Sequence, residues 1–257
     1  MLALRLRRTR WLEVLRRTMI DPRNAFLQSG EEWAARNRIL AGSLEGLISS
    51  HLQRRTADAL DLGCQSGQLI DLLSPRLGLR WHGIDPSIGK PTISPKGAAM
   101  THGWGHEIPF DDGAFDCVVL ANVYEHVEPP YRQRTLDEIR RVLAPTGILV
   151  GQLPNPLFPI ESHSRLPFMG WLPMPAQKAY WRLSPVPWKH DFHVVMIRDI
   201  ERHAGLAGFE RVLIRNFNYP LEAIPHSVRP IARLLQLPMK LVPWAWQFVF
   251  RSPARQD

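Results

Sequence analysis

Apolar residues recur along this chain in two alternating patterns: short continuous runs and stripes spaced three or four apart. The runs predict strands near 58–62, 79–84, 97–102, 115–121 and 147–153, and Phe209–Arg215 predicts a sixth. Between them, Tyr131–Leu143 places Leu136, Ile139, Val142 and Leu143 on one helical face, with Asp137 and Arg141 spaced as an i,i+4 pair. Arg198–Ala204 predicts another helix, stopped by Gly205. Residues from Glu31 to Leu52 predict one or two helices ahead of the first strand. Strand and helix in alternation predict an α/β protein, a doubly wound and mostly parallel sheet with flanking helices in one domain. Three parts follow: a basic helical segment over 1–57, the core over 58–219, and a basic amphipathic segment over 220–257.

One stretch breaks the rhythm. Residues 154–190 hold eight prolines and six aromatic residues. A connection that long is functional or disordered, and this one is too aromatic for disorder. It leaves the fifth predicted strand at its carboxyl end, which suits a lid or a substrate wall.

Composition changes the picture mainly through charge. The 257 residues carry a net charge of +8. Residues 1–17 hold six arginines against one acid, and residues 223–256 hold five basic residues and no acid. The core is therefore near neutral, which argues against a nucleic-acid groove across it. Basic ends suit an anionic membrane surface. Residues 231–250 place Leu234, Trp244, Trp246, Phe248 and Phe250 among Arg233 and Lys240, the mixture found at lipid interfaces. The longest apolar stretch, 241–250, is too short to span a membrane, which takes about 20 residues. The two cysteines, Cys64 and Cys117, have neither disulfide nor metal spacing, so a cytoplasmic protein is expected, peripheral on the inner membrane face at most.

The candidate chemistry starts at Asp61-Leu62-Gly63-Cys64-Gln65-Ser66-Gly67. A strand that ends in a glycine turn and opens a helix brings backbone close to a small ligand. Asp85 follows 18 residues after Gly67, at the end of the second strand, where an acid can hold the ribose hydroxyls of a nucleoside. These residues, with Ile108–Val119 and Glu138–Gly147 in order behind them, resemble the class I S-adenosylmethionine-dependent methyltransferases. The resemblance covers about residues 58–153 and implies a Rossmann-like sheet and S-adenosyl-L-methionine as cofactor. It implies cofactor contacts from Asp61, Gly63, Cys64, Gly67, Asp85, Trp104, Gly105 and Asn122. Two positions depart from the family pattern. Gln65 stands where glycine is usual. Trp104 stands where an acid often contacts adenine, and its ring can stack on a base or sit in the core.

Methyl transfer to a hydroxyl needs a base. The candidates are Glu161 and His163, which point the same way from an extended chain, and His126, with His193 behind them. Asn122-Val123-Tyr124-Glu125-His126-Val127 resembles the Glu-Val-x-Glu-His segment of quinone-pathway O-methyltransferases. There the acids and histidine can hold a divalent cation. With Asn122 in the first position that set is incomplete, and no metal is expected. The resemblance implies methylation of a small, hydrophobic, lipid-linked or glycan acceptor. A methyltransferase fold retained as a binding or scaffold subunit is the competing class. Acceptor identity and oligomeric state are not readable from these residues.

Overall fold

The computed structural model describes residues 31–53, 57–164, 166–184, 190–220 and 242–254. The basic segment before residue 31 and residues 221–241 lie outside the described residues. In chain order the elements are α1 Glu31–His51, β1 Asp58–Leu62, α2 Gln68–Leu77, β2 Arg80–Ile84, β3 Thr92–Ile93, β4 Ala99–Thr101, β5 Phe115–Ala121, α3 Arg132–Val142, β6 Leu143–Pro154, α4 Met174–Tyr180, α5 Ile197–Leu206, β7 Glu210–Phe217 and β8 Ala245–Arg251.

The eight strands form one sheet in the order β3-β4-β2-β1-β5-β6-β8-β7. β4, β2, β1, β5 and β6 run parallel, while β3 and β8 pair antiparallel with their neighbours. The order reverses between β1 and β5, the place where open α/β sheets bind ligands at their carboxyl ends. Alternate residues of each strand face opposite layers. Ala59, Trp81, Val119 and Val150 pack with Leu40, Leu44 and Ile48 of α1 and with Ile70 and Leu73 of α2. Leu60, Ile84, Val118, Leu149 and Phe248 pack with Leu136 and Ile139 of α3 and with Ile200 and Ala204 of α5. The predicted doubly wound sheet is thus the observed one.

Three sequence expectations are corrected. The core does not end at residue 219. β8 is inserted between β6 and β7, with Phe248 and Phe250 fully buried, so these aromatic side chains serve the core rather than a lipid interface. Two rows of strand partners outweigh any surface role for so apolar a run. The core also begins earlier, because Leu40 to Ile48 of α1 belong to it. Finally, Arg141 does not pair with Asp137. It binds Glu138 at 2.8 Å and Asp112 at 2.9 Å, and donates to the carbonyls of Ile108 and Phe110. Four acceptors around one guanidinium outweigh a single helical neighbour. Asp137 accepts from Gln133 instead.

Residues 157–190 belong to one of two compact units; the other, the sheet unit, comprises residues 38–156, 191–217 and 243–257. Within the former, Ile160 bridges Pro167, and the Glu161 and Phe168 amides donate to Leu166 and Pro159. The described part of the predicted irregular stretch, 154–164 and 166–184, is therefore a stapled loop followed by α4.

Candidate functional site

The glycine turn is shaped by crowding. Gly63 and Gly67 have φ of 80° and 79°, and a Cβ would come within 2.5 Å of Val123 at the first and 2.7 Å of Met100 at the second. Only glycine fits both the backbone and the space. Gln65 takes a left-handed φ of 47° without being glycine, and its side chain is exposed. The Gly63 and Cys64 amides both donate to Ile84 O, tying the turn to the end of β2.

Asp85 stands there, nearly buried. Its carboxylate accepts the Gln65 amide at 3.0 Å and the Ser87 amide at 2.8 Å, and also takes the Ser87 hydroxyl. These donors hold it at the rim with its oxygens fixed. Asp61, in β1, is fully buried, and burial, with the charge of Asp85 behind it, raises its pKa to about 8. Cys64 is pushed up to about 12, first by burial and then by the charges of Asp61 and Asp85, so it stays a neutral thiol.

Trp104 is 49% exposed, which removes the reading of it as a core residue. It lies after β4 in a surface row of rings: His102, Trp104, His106 and Tyr131, the last two stacked at 4.2 Å. Gly105 is confined by Thr135 and Leu62. Asn122 follows β5 with φ 56°, which Asn tolerates better than most residues. Asp61, Gly63, Cys64, Gly67, Asp85, Trp104, Gly105 and Asn122 thus lie in or just beyond the carboxyl ends of β1, β2, β4 and β5.

His126 ends a short 3-10 turn, Tyr124–His126. Its Nδ1 lies 3.3 Å from Asp191 O and 3.5 Å from the Asp191 carboxylate, and the His193 amide donates to Glu125 O. The structure therefore brings the His126 and His193 segments together. Tyr124 is buried, with its hydroxyl 2.6 Å from His203 of α5. That contact anchors the turn, and no local pattern in the sequence marks it.

Glu161 and His163 lie in the separate unit. His163 Nδ1 is 2.7 Å from Glu161 Oε1, and the same carboxylate accepts the His163 and Ser164 amides. Burial raises the Glu161 pKa, but the His163 ring and these amides outweigh it and hold the group at about 2. The couple is an ionised carboxylate that orients an imidazole.

Asp61 carries a pH prediction. Its neutral form is the one the fold prefers, because its pKa is raised. That contribution is complete below about pH 4 and is lost as pH rises through about 8. Asp61→Asn, which stays neutral, is expected to match wild type at pH 4 and to exceed it by about 1–3 kcal/mol above pH 8. Denaturant titration at the two pH values checks this. A constant offset between the proteins would disprove it.

Comparisons with known proteins agree with this geometry. Residues 60–151 match the family model described as a methyltransferase domain. An uncharacterized methyltransferase of Mycobacterium leprae is 32% identical over 96 residues, 35% of this chain and 35% of that protein. The chain therefore spans about a third of that relative. The demethylmenaquinone methyltransferase of Staphylococcus aureus is 29% identical over 180 residues, 64% of this chain and 72% of that protein. Among solved structures, a protein of Pyrococcus horikoshii superposes with a TM-score of 0.59 at 18% identity, covering 88% of this chain and 95% of that one. An S-adenosylmethionine-dependent methyltransferase of Mesorhizobium loti gives 0.55 at 17% identity, covering 82% and 99%. Sheet order and rim define a class, the Rossmann-like fold of the class I S-adenosylmethionine-dependent methyltransferases. Over residues 60–151 this chain is similar to the methyltransferase domain family.

Proposed function

We propose that this protein is an S-adenosylmethionine-dependent methyltransferase acting on a small hydrophobic or lipid-linked acceptor. The observation that carries the reading is the rim itself: a turn with no room for a side chain at Gly63 or Gly67, beside a fixed carboxylate at the end of the neighbouring strand. A nucleoside cofactor fits those groups. Gly63–Gly67 would admit its backbone-proximal part, Asp85 would hold the ribose hydroxyls, and the exposed Trp104 ring would stack on the base. When bound, S-adenosylmethionine supplies a methyl group on an already activated sulfonium. The protein then has to position the acceptor, exclude water and remove a proton. Asp61, Cys64, Gly105 and Asn122 complete the proposed pocket.

His163, oriented by Glu161, is the proposed base, with His126 as the second candidate. A hydrophobic acceptor is supported by the apolar surface of the 157–184 segment, where Phe168 is 52% and Trp171 59% exposed. The similarity to a demethylmenaquinone methyltransferase points the same way. No described helix is long and apolar enough to cross a membrane. Contact with an anionic lipid surface, if made, falls to the basic ends. Flotation with anionic but not neutral vesicles distinguishes that version from methylation in solution.

Calorimetry with S-adenosylmethionine is the test. Wild type is expected to bind, and Asp85→Ala to lose about 1.5–3 kcal/mol, the worth of hydrogen bonds to a charged group. No heat at millimolar cofactor would favour a binding or scaffold subunit. Equal affinity of the variant would remove Asp85 from the site.

A further inference from the structure

A row of polar side chains crosses the sheet where apolar ones would pack. Gln152 of β6 and Gln247 of β8 are direct strand partners, and Gln247 is in turn the partner of Arg215 on β7. Both glutamines are buried, at 1% and 0% exposure, between Val150 and Leu153 on one strand and Trp246 and Phe248 on the other. Their hydrogen bonds form one chain. Arg215 donates from Nε and Nη2 to Gln247 Oε1 at 3.1 and 2.8 Å, and the Ser43 hydroxyl donates to the same oxygen at 2.9 Å. Gln247 Nε2 donates to Gln152 Oε1 at 3.1 Å, and Gln152 Nε2 donates to Asn122 Oδ1 at 3.0 Å. Gln152 O also accepts the Asn122 amide at 2.8 Å.

The direction of this chain is forced. A guanidinium only donates. Gln247 must therefore offer Arg215 its oxygen, which turns its NH₂ towards Gln152. Gln152 must accept there, which turns its own NH₂ towards Asn122. Asn122 must accept in turn, and its amide nitrogen is what remains for the rim. A side-chain amide is ordinarily ambiguous between its two ends. Here a cation three strands away removes the ambiguity.

Asn122 follows β5, across the switch point from the glycine turn. In sheet order the rim carries Trp104 after β4, Asp85 after β2, the glycine turn after β1 and Asn122 after β5. A cofactor laid along that rim with its ribose on Asp85 and its base towards Trp104 extends its amino-acid arm towards Asn122. That arm ends in an ammonium and a carboxylate. An acid at 122 would select the ammonium, whereas a fixed amide donor selects the carboxylate. We infer that Asn122 binds the carboxylate of the cofactor's amino-acid arm through its amide N–H, and that Gln152, Gln247 and Arg215 are positioning residues that pole it for that purpose. This rests on the cofactor reading above.

Two variants test it without emptying the core. Gln247→Glu keeps an acceptor for Arg215 but can no longer donate to Gln152, so it releases the direction of the chain. Asn122→Asp keeps the acceptor for Gln152 and sets a carboxylate against the ligand's. Calorimetry is run with S-adenosylhomocysteine, which has the amino-acid arm, and 5′-methylthioadenosine, which lacks it. Both variants are expected to bind the first about 10–100-fold more weakly and the second with unchanged affinity. Unchanged S-adenosylhomocysteine affinity in both, or equal losses for both ligands, would overturn the assignment. The relay is read separately, by the Asn122 side-chain amide resonance in Arg215→Met, a substitution at an exposed position. The resonance is expected to move, and one that ignores Arg215→Met overturns the relay even if wild type binds neither ligand.

Discussion

Replacing His163 with alanine is expected to lower methyl transfer about 10²–10⁴-fold, the worth of a positioned general base, while leaving cofactor affinity unchanged. Glu161 accepts from Nδ1 at 2.7 Å, which leaves Nε2 of the neutral imidazole as the basic nitrogen. Glu161 stays ionised throughout the neutral range, because its pKa is held at about 2. It is also the staple of its own loop, through the amides of His163 and Ser164. Loss of activity could therefore follow from a loosened loop alone. His163→Asn separates the two cases, since its side-chain amide can still donate to Glu161 but supplies no base. Labelled cofactor with a small hydrophobic hydroxyl-bearing acceptor gives the rate, and thermal melting gives the fold. A large rate loss in both variants with normal melting supports the base. A rate that survives His163→Asn reduces the segment to structure.

Gly151→Ala is expected to destabilise the protein by about 3 kcal/mol or more, at the upper end of what overpacking does. Gly151 lies in β6 between β5 and β8, opposite Phe248. A Cβ there would run into the carbonyl oxygen of Leu120 and the Phe248 ring, neither of which has room to retreat. Phe248 is itself fully buried against Phe250 and the α3 layer. Phe248→Leu in the same chain should recover only part of the loss, because the backbone oxygen remains. Urea denaturation of the single and double variants decides it. A single variant within about 1 kcal/mol of wild type would mean that the sheet opens there at little cost.

Much of the sheet was legible because its signals are local. The strands at 58–62 and 115–121 are short apolar runs, and the helix over 132–142 has its buried positions at helical spacing. The glycine turn was legible for the same reason: Gly63 and Gly67 serve backbone conformations that most side chains resist. Asp85 followed from its distance along the chain, since the 18 residues after Gly67 hold one helix and one parallel strand, which returns the chain to the same rim.

What the tertiary structure decided depends on partners far apart in sequence. Residues 244–250 have the composition of an interfacial segment, and composition does not say whether lipid or protein will cover an aromatic side chain. The gap between β6 and β7 settles it, by offering hydrogen bonds on both edges of the strand. Arg141 could be paired with Asp137 by spacing, but the turn at 108–112 supplies more acceptors. Gln152 and Gln247, 95 positions apart, carry no mark as single residues. Only their register across β6 and β8, with Arg215 beyond and Asn122 before, makes them a directed chain. Local periodicity sets which segments form strands, whereas strand order, and with it the neighbours of each buried polar atom, is chosen by the free energy of the whole sheet.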